Sequence, residues 1–233
     1  MRLPMPRLVL LLALCLAIPL ASVTLSAAPS LQAVVELEEE VYAYLPADNG
    51  AGPLWCAGST CLVRDGDRLF ATGLETLPGA KPLNNVRWLL FERTAHRWNL
   101  ILADPIGRTR EPSPIAIFPG HQLLLSANPT LNPNPDAYAG PAQPQILQFT
   151  LPDLHAPFLT GLPEWSGTPQ FTEHSYRSFA ADASNQECLI LQNVGYTHAE
   201  WTFRDRSGNW SAQGQLHWPL DPAHPKPQPI RVW

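Results

Sequence analysis

Apolar residues along this chain come in short runs closed by turn-forming residues, without the sustained stripe of an amphipathic helix. TCLVRDGDRLFATG (60–73), SPIAIFPGHQLLLS (113–126) and SFAADASNQECLILQNV (178–194) each read as two strands around a tight turn. The turns fall at Asp65-Gly66, Pro119-Gly120 and Ser184-Asn185, residue types that accept hairpin geometry. PQILQFTLPD (144–153) supplies a further strand, while PTLNPNPDAYAGPAQP (129–144) is too rich in Pro and Asn for regular structure and predicts a surface excursion. Apart from a candidate helix at LQAVVELEEEVYAYL (31–45), no stretch of helical periodicity exceeds three turns. The pattern predicts an all-β protein.

Aligning the tryptophans exposes a repeat. FERTAHRW (91–98) and FRDRSGNW (203–210) share a Phe-x6-Trp frame, each preceded by a tryptophan, Trp88 or Trp201, on the incoming strand. The frames lie 112 residues apart, which suits two repeats of about 56 residues with a middle unit between them. Each unit reads as four consecutive strands, the signature of a β-propeller of four-stranded blades. The expected blades span roughly 50–105, 106–165 and 170–220, and PIRVW within 226–233 opens a further one. Because propellers close with about four to eight blades, three and a fraction predict the N-terminal portion of a longer protein.

These segments resemble the sialidase-like propellers of secreted bacterial type, the BNR-repeat or Asp-box family. FRDRSGNW is similar to the Asp box, Ser-x-Asp-x-Gly-x-Thr-Trp, keeping the interval from Asp205 to Trp210 but placing Gly208 one position late and lacking the leading Ser. FERTAHRW keeps only the aromatic frame, and HSYRSFAAD (174–182) looks like the opening of a blade of that group. The resemblance covers about residues 50–233 and implies sialidases, other glycosidases, polysaccharide lyases and members of unknown activity. It speaks to fold and leaves the chemistry to the site.

Composition adds the compartment. Arg2 and Arg7 precede the apolar run LVLLLALCLAIPL, and small residues follow in SVTLSAAPS, so residues 1–28 read as a secretory signal peptide. The run is short for a membrane span, and a secreted or periplasmic protein with no membrane partner is expected of 29–233. Of the 15 Lys+Arg, 13 lie beyond this leader, against 20 Asp+Glu, a formal charge of −7 that disfavours nucleic acid as a partner. Cys56 and Cys61 are spaced for a short-loop disulfide, and the alternative is that they and Cys188 are small buried residues. Cys/His spacing gives no metal site, and no phosphate-binding Gly loop, GxSxG elbow or HExxH motif is present, so no cofactor is expected.

Candidate chemistry gathers at one hairpin. In GYTHAEWTFRDRSGNW (195–210), strand alternation places Tyr196, His198 and Glu200 on one face. A turn near Asn185 makes paired residue numbers add to about 370, setting His174 opposite Tyr196 and Tyr176 opposite Val194. His174, Tyr176, Tyr196 and His198 are therefore the candidate catalytic groups, with Arg177, Glu200 and Arg204 as substrate-binding candidates. A blade face is normally covered, and an unpaired polar group there costs on the order of 1–3 kcal/mol, so a polar face predicts an open pocket. The structural alternative is half-buried Tyr and His bonded to carbonyls, with Arg204 clamped to Glu200.

His and Tyr beside an arginine suit polysaccharide lyase chemistry, in which a base removes the proton next to a uronate carboxylate and a cation neutralises the acid. The sialidase reaction implied by the resemblance needs three arginines, for which Arg110, Arg177 and Arg231 stand near blade starts. Ordinary glycoside hydrolysis needs two facing carboxylates, and no such pair stands out. The expected partner is thus a polysaccharide or glycan, acted on by the enzyme or, in the alternative, held by a non-catalytic binding or structural module.

Overall fold

The computed structural model describes residues 31–217 apart from 56–58, 96, 106, 154–156, 175 and 196. The expected signal peptide, Cys56, Tyr196 and the segment at 226–233 lie outside the described residues. The chain divides into a unit up to Glu39 and a unit from Glu40 onward. In the first, residues 31–39 are exposed and hold no regular structure.

Among the described residues the second unit is all-β, with three four-stranded antiparallel sheets and one short 3-10 turn at Pro82–Asn84. Sheet 1 holds β1 (Leu62–Asp65), β2 (Arg68–Thr76), β3 (Val86–Thr94) and β4 (Arg97–Ala103). Sheet 2 holds β5 (Ile115–Phe118), β6 (Gln122–Ala127), β7 (Gln145–Thr150) and β8 (Leu159–Gly161). Sheet 3 holds β9 (Arg177–Asp182), β10 (Glu187–Val194), β11 (His198–Arg204) and β12 (Trp210–His217). Each sheet is a meander with strands in chain order. The first hairpin of each turns where the sequence signals it, with Gly66 at φ 59° and Gly120 at φ 80°, a region open to glycine without steric cost. First strands lie side by side, β1 next to β5 and β5 next to β9, and the Ile115 N–H donates to the Thr60 carbonyl at 2.9 Å.

Packing between the sheets explains the hydrophobic pattern. Phe70, Trp88 and Leu90 of sheet 1 pack against Leu123, Leu125, Leu147 and Phe149 of sheet 2. On its other face sheet 2 sets Ala116, Phe118, Leu124 and Ile146 against Phe179, Cys188 and Ile190 of sheet 3. Sheet 2 therefore has a neighbour on both faces, which is why β6 carries three successive leucines, Leu123 to Leu125, all fully buried. Burial of each contributes about 1.5–3 kcal/mol. Cys61 and Cys188 carry free thiols.

The candidate helix at 31–45 is not formed, because residues 31–47 have no regular structure. Val34, Val35 and Leu37 are exposed, so the apolar spacing has no surface to pack on, and a short helix without packing is marginal in water. The later part of the segment instead covers sheet 1. Tyr42 stacks on Phe91 with ring centroids 5.0 Å apart, and its hydroxyl accepts the Leu74 N–H at 2.8 Å. Gly73 makes room for it, since a Cβ there would lie 2.6 Å from the Tyr42 ring. Gly73→Ala is expected to destabilise the fold by about 1–3 kcal/mol in urea denaturation. The penalty should vanish in a Tyr42→Ala background, where the collision has been removed.

Candidate functional site

Residues at the ends of strands that begin with Arg177 and His198 hold the predicted groups, and their register decides who meets whom. Arg177 pairs with Gln192 and Glu187 with Asp182, while the Asn193 N–H donates to the Tyr176 carbonyl at 2.8 Å. Tyr176 is thus opposite Asn193, one residue away from the sequence estimate. Gly195 takes φ 53° in the turn before β11, which opens at His198; Tyr196 lies outside the described residues. A one-residue change of register exchanges the two faces of a strand.

The resulting row across sheet 3 is Arg177, Gln192, Glu200 and Gln215. Directly opposed residues share a face, and this face meets sheet 2, because the Gln192 amide donates to Asn128 Oδ1 at 3.1 Å. Arg177, Gln192 and Glu200 are no more than 1% exposed. The polar face expected to mark an open pocket is therefore buried from Arg177 to Glu200, with Gln215 exposed at its edge. Glu200 Oε1 lies 3.0 Å from His198 Nε2 and accepts the Gln215 amide at 2.7 Å, while Glu200 Oε2 and Gln192 Oε1 are buried without a hydrogen-bond partner. Alternation does place His198 and Glu200 on one face, and the His198 ring stacks on His217 at 5.8 Å.

The remaining candidates are divided between two places. His174 and Tyr176 touch edge to face, with centroids 5.0 Å apart, and Tyr176 is buried against Trp55 at 6.2 Å. Strand β10 stands between them and β11, so His198 is about 9–10 Å away by two strand spacings. Arg204 closes β11, roughly 20 Å along from His198, and its Nε donates to the Gly208 carbonyl at 3.3 Å; it does not clamp Glu200. There it braces a turn in which Asp205 Oδ1 accepts the Ser207 and Asn209 N–H groups at 2.9 and 3.0 Å.

Two functional candidates escaped the sequence reading. The first is Glu111, fully buried in the segment that leads into β5. Arg177 Nη2 donates to the carbonyls of Glu111 and Pro112 at 3.2 and 2.6 Å, and Arg110 Nη1 lies 3.6 Å from Glu111 Oε1. His174 Nδ1 is 3.4 Å from the same oxygen with its side chain 24% exposed. Burial pushes the Glu111 carboxyl up to about 7; Arg177 and Arg110 pull it down, and Glu173 adds to the rise. Arg110 also donates twice to the Asn49 carbonyl, at 3.0 and 2.7 Å. The adjacent Arg110-Glu111 pair before an apolar strand was the available signal, but ion pairs of that kind are commonplace on surfaces.

The second is a cleft of about 550 Å³ between sheets 1 and 2, at the end where β3 and β7 begin and β4 and β6 finish. Trp88, Pro129 and Phe158 supply apolar wall, and Asp104, Arg108 and Gln145 supply polar groups. Its size lies within the ~300–1,000 Å³ of small-molecule sites. The predicted excursion at 129–144 forms one side through Leu131 and Asn132. Among the described residues, no group of three or more His, Cys, Asp or Glu is placed to hold a metal ion, and no helix is long and apolar enough to cross a membrane. Compared with known proteins, the chain matches no protein-family model, and no curated protein matches it.

Proposed function

We propose that this chain is part of an exported, Asp-box-type β-propeller that binds a glycan without turning it over. The side-by-side first strands of three four-strand meanders, and the Asp205 turn between the third and fourth strands of one of them, support the propeller. The charged leader with its apolar run and small residues supports export. The cleft between sheets 1 and 2 is the observation that carries binding, because it joins aromatic wall to amide and hydroxyl groups in one concavity.

Turnover is disfavoured by the commitments of the groups it would need. A lyase requires a cation on the uronate carboxylate, yet Arg177 is 1% exposed and bonded to carbonyls of its own chain. Tyr176 is 5% exposed under Trp55, and Glu200 serves His198 and Gln215. One observation favours a catalytic reading: His174 reaches solvent while leaning on a carboxyl whose proton leaves near neutrality.

Affinity electrophoresis through gels containing single polysaccharides, neutral and acidic, tests the proposal. Retardation in at least one gel, with no new reducing or unsaturated chain ends after incubation, is expected. Release of such ends by the wild type, abolished in His174→Gln or in Tyr196→Phe with His198→Ala, would replace binding with catalysis.

A further inference from the structure

A second, smaller cleft of about 270 Å³ adjoins the one between sheets 1 and 2. It lies between the excursion at 129–144 and the segment that leads from β8 towards β9, and its walls include Pro141, Gln143, Leu162, Trp165, Thr168 and Gln170. Leu131, 55% exposed, lines both clefts. Two other stretches of chain pass from one cleft into the other: Gln145 and Thr160 line the first, Gln143 and Leu162 the second. Two residues of chain span at most about 7 Å, so the concavities are neighbours along one surface. The smaller one lies below the ~300 Å³ at which small-molecule sites begin, which suits an extension of the larger cleft better than a separate site.

Backbone bonds fix the wall that the clefts share. The Leu131 N–H donates to the Pro141 carbonyl at 2.7 Å, the Gln143 N–H to the Pro129 carbonyl at 3.1 Å, and the Ala142 N–H to the Phe171 carbonyl at 3.0 Å. Walls set before a ligand arrives lower the ordering cost of binding. Each cleft also repeats the same pair of surfaces. Half-buried Phe158 in the first and half-buried Trp165 in the second supply aromatic surface, and Phe171 holds Trp165 with ring centroids 4.8 Å apart. Gln145 and Thr160 in the first, and Gln143 and Thr168 in the second, supply amides and hydroxyls, groups that both donate and accept. A sugar ring presents a C–H face to aromatic surface and a rim of hydroxyls to such groups, so a repeated surface of this kind suits a repeated ring. Asp104 and Arg108 line the first cleft and not the second, which confines charged contacts to one end.

We propose that the two clefts form one track for a linear oligosaccharide, with successive rings beside Phe158 and Trp165 and the crossing between them at Leu131. This rests on the glycan-binding reading above and specifies the ligand as a chain of several sugar rings, with affinity set by its length.

The test is titration calorimetry of the full chain with disaccharides and hexasaccharides of the cello-, xylo-, manno-, chito- and galacturono- series. At least one hexasaccharide should bind with one equivalent per protein chain and at least ten-fold tighter than its disaccharide. Thr160→Trp fills the first cleft and Thr168→Trp the second, both from exposed residues. Each should weaken hexasaccharide binding at least ten-fold with the melting temperature unchanged, and Leu162→Arg, from another exposed residue of the smaller cleft, should repeat the effect of Thr168→Trp. Equal affinity of a disaccharide and its hexasaccharide overturns the proposal, as does binding of two equivalents of hexasaccharide, which would mark two separate sites. Hexasaccharide binding that survives Thr160→Trp, or that survives both Thr168→Trp and Leu162→Arg, also overturns it and leaves glycan binding standing at a single cleft or at another place. Absence of binding by every oligomer overturns the track, and with no retardation in polysaccharide gels the glycan reading falls with it.

Discussion

Arg177→Met should lower the stability of this protein by about 3–5 kcal/mol, the range seen when one partner of a buried charge cluster is removed. The side chain is among the largest that are fully buried, at 1% exposure, and its head ties the start of β9 to the segment entering β5. Without it the carbonyls of Glu111 and Pro112 lose a charge-assisted donor inside the protein, each at a cost of about 1–3 kcal/mol. Ser113, whose hydroxyl lies 3.4 Å from Nη2, does not replace the planar guanidinium. Arg177→Lys should recover only part of the loss, because an ammonium cannot span two carbonyls with the same fork. Urea denaturation reads the effect, and for a chain of this size the melting temperature should fall by about 10 °C. A change below about 1 kcal/mol would mean that the hydrogen bonds at this junction contribute little.

The same arginine shows what alternation in sequence can and cannot tell. The three hairpins were legible because Asp65-Gly66, Pro119-Gly120 and Ser184-Asn185 interrupt runs of β-forming residues, and turn chemistry is local. The Phe-x6-Trp frame was also legible: in both occurrences the Phe lies in the third strand and the Trp in the fourth, in β3–β4 of sheet 1 and β11–β12 of sheet 3. Alternation correctly set His198 and Glu200 on one side of β11, yet it carries no information about what covers that side. On the same face of the neighbouring strand β10, the cover includes Asn128, 64 residues before the Gln192 that it bonds. Likewise Glu111 and Arg177 are 66 residues apart, and their contact exists only because β5 and β9 run side by side.

The hairpin estimate placed Tyr176 opposite Val194, whereas it lies opposite Asn193; His174 and Tyr176 still stand at the same end of sheet 3 as His198, with β10 between them. At 31–45 the spacing of Val34, Leu37, Tyr42 and Tyr44 mimics a helical face, but the two tyrosines belong to an extended segment laid against sheet 1. The cleft was invisible for another reason. Its wall is assembled from ends of four strands and one Pro-rich excursion, none of which has a recognisable motif by itself.

The second large effect is a stability profile that runs against the usual trend of ion-paired carboxylates. Glu111 has a folded-state value of about 7 against 4.5 for the free side chain. Below about pH 4.5 both folded and unfolded chains hold the proton, and Glu111 contributes its full favourable difference. Between 4.5 and 7 the folded chain keeps a proton that the unfolded chain has released, so stability falls as pH rises, and above 7 the loss is complete. The shift corresponds to a loss of about 3 kcal/mol across this window. His174 Nδ1 lies 3.4 Å from Glu111 Oε1, so the quantity to measure is the difference between wild type and Glu111→Gln at each pH. Glutamine has the same shape and no ionisation. Relative to that variant, wild type should lose about 3 kcal/mol from pH 4.5 to pH 8, and the same difference should persist in a His174→Gln background. A flat difference would show that Arg110, Arg177 and penetrating water solvate the carboxylate as well as bulk water does. If the slope disappears only with His174, the titrating group is the imidazole and Glu111 is ionised throughout.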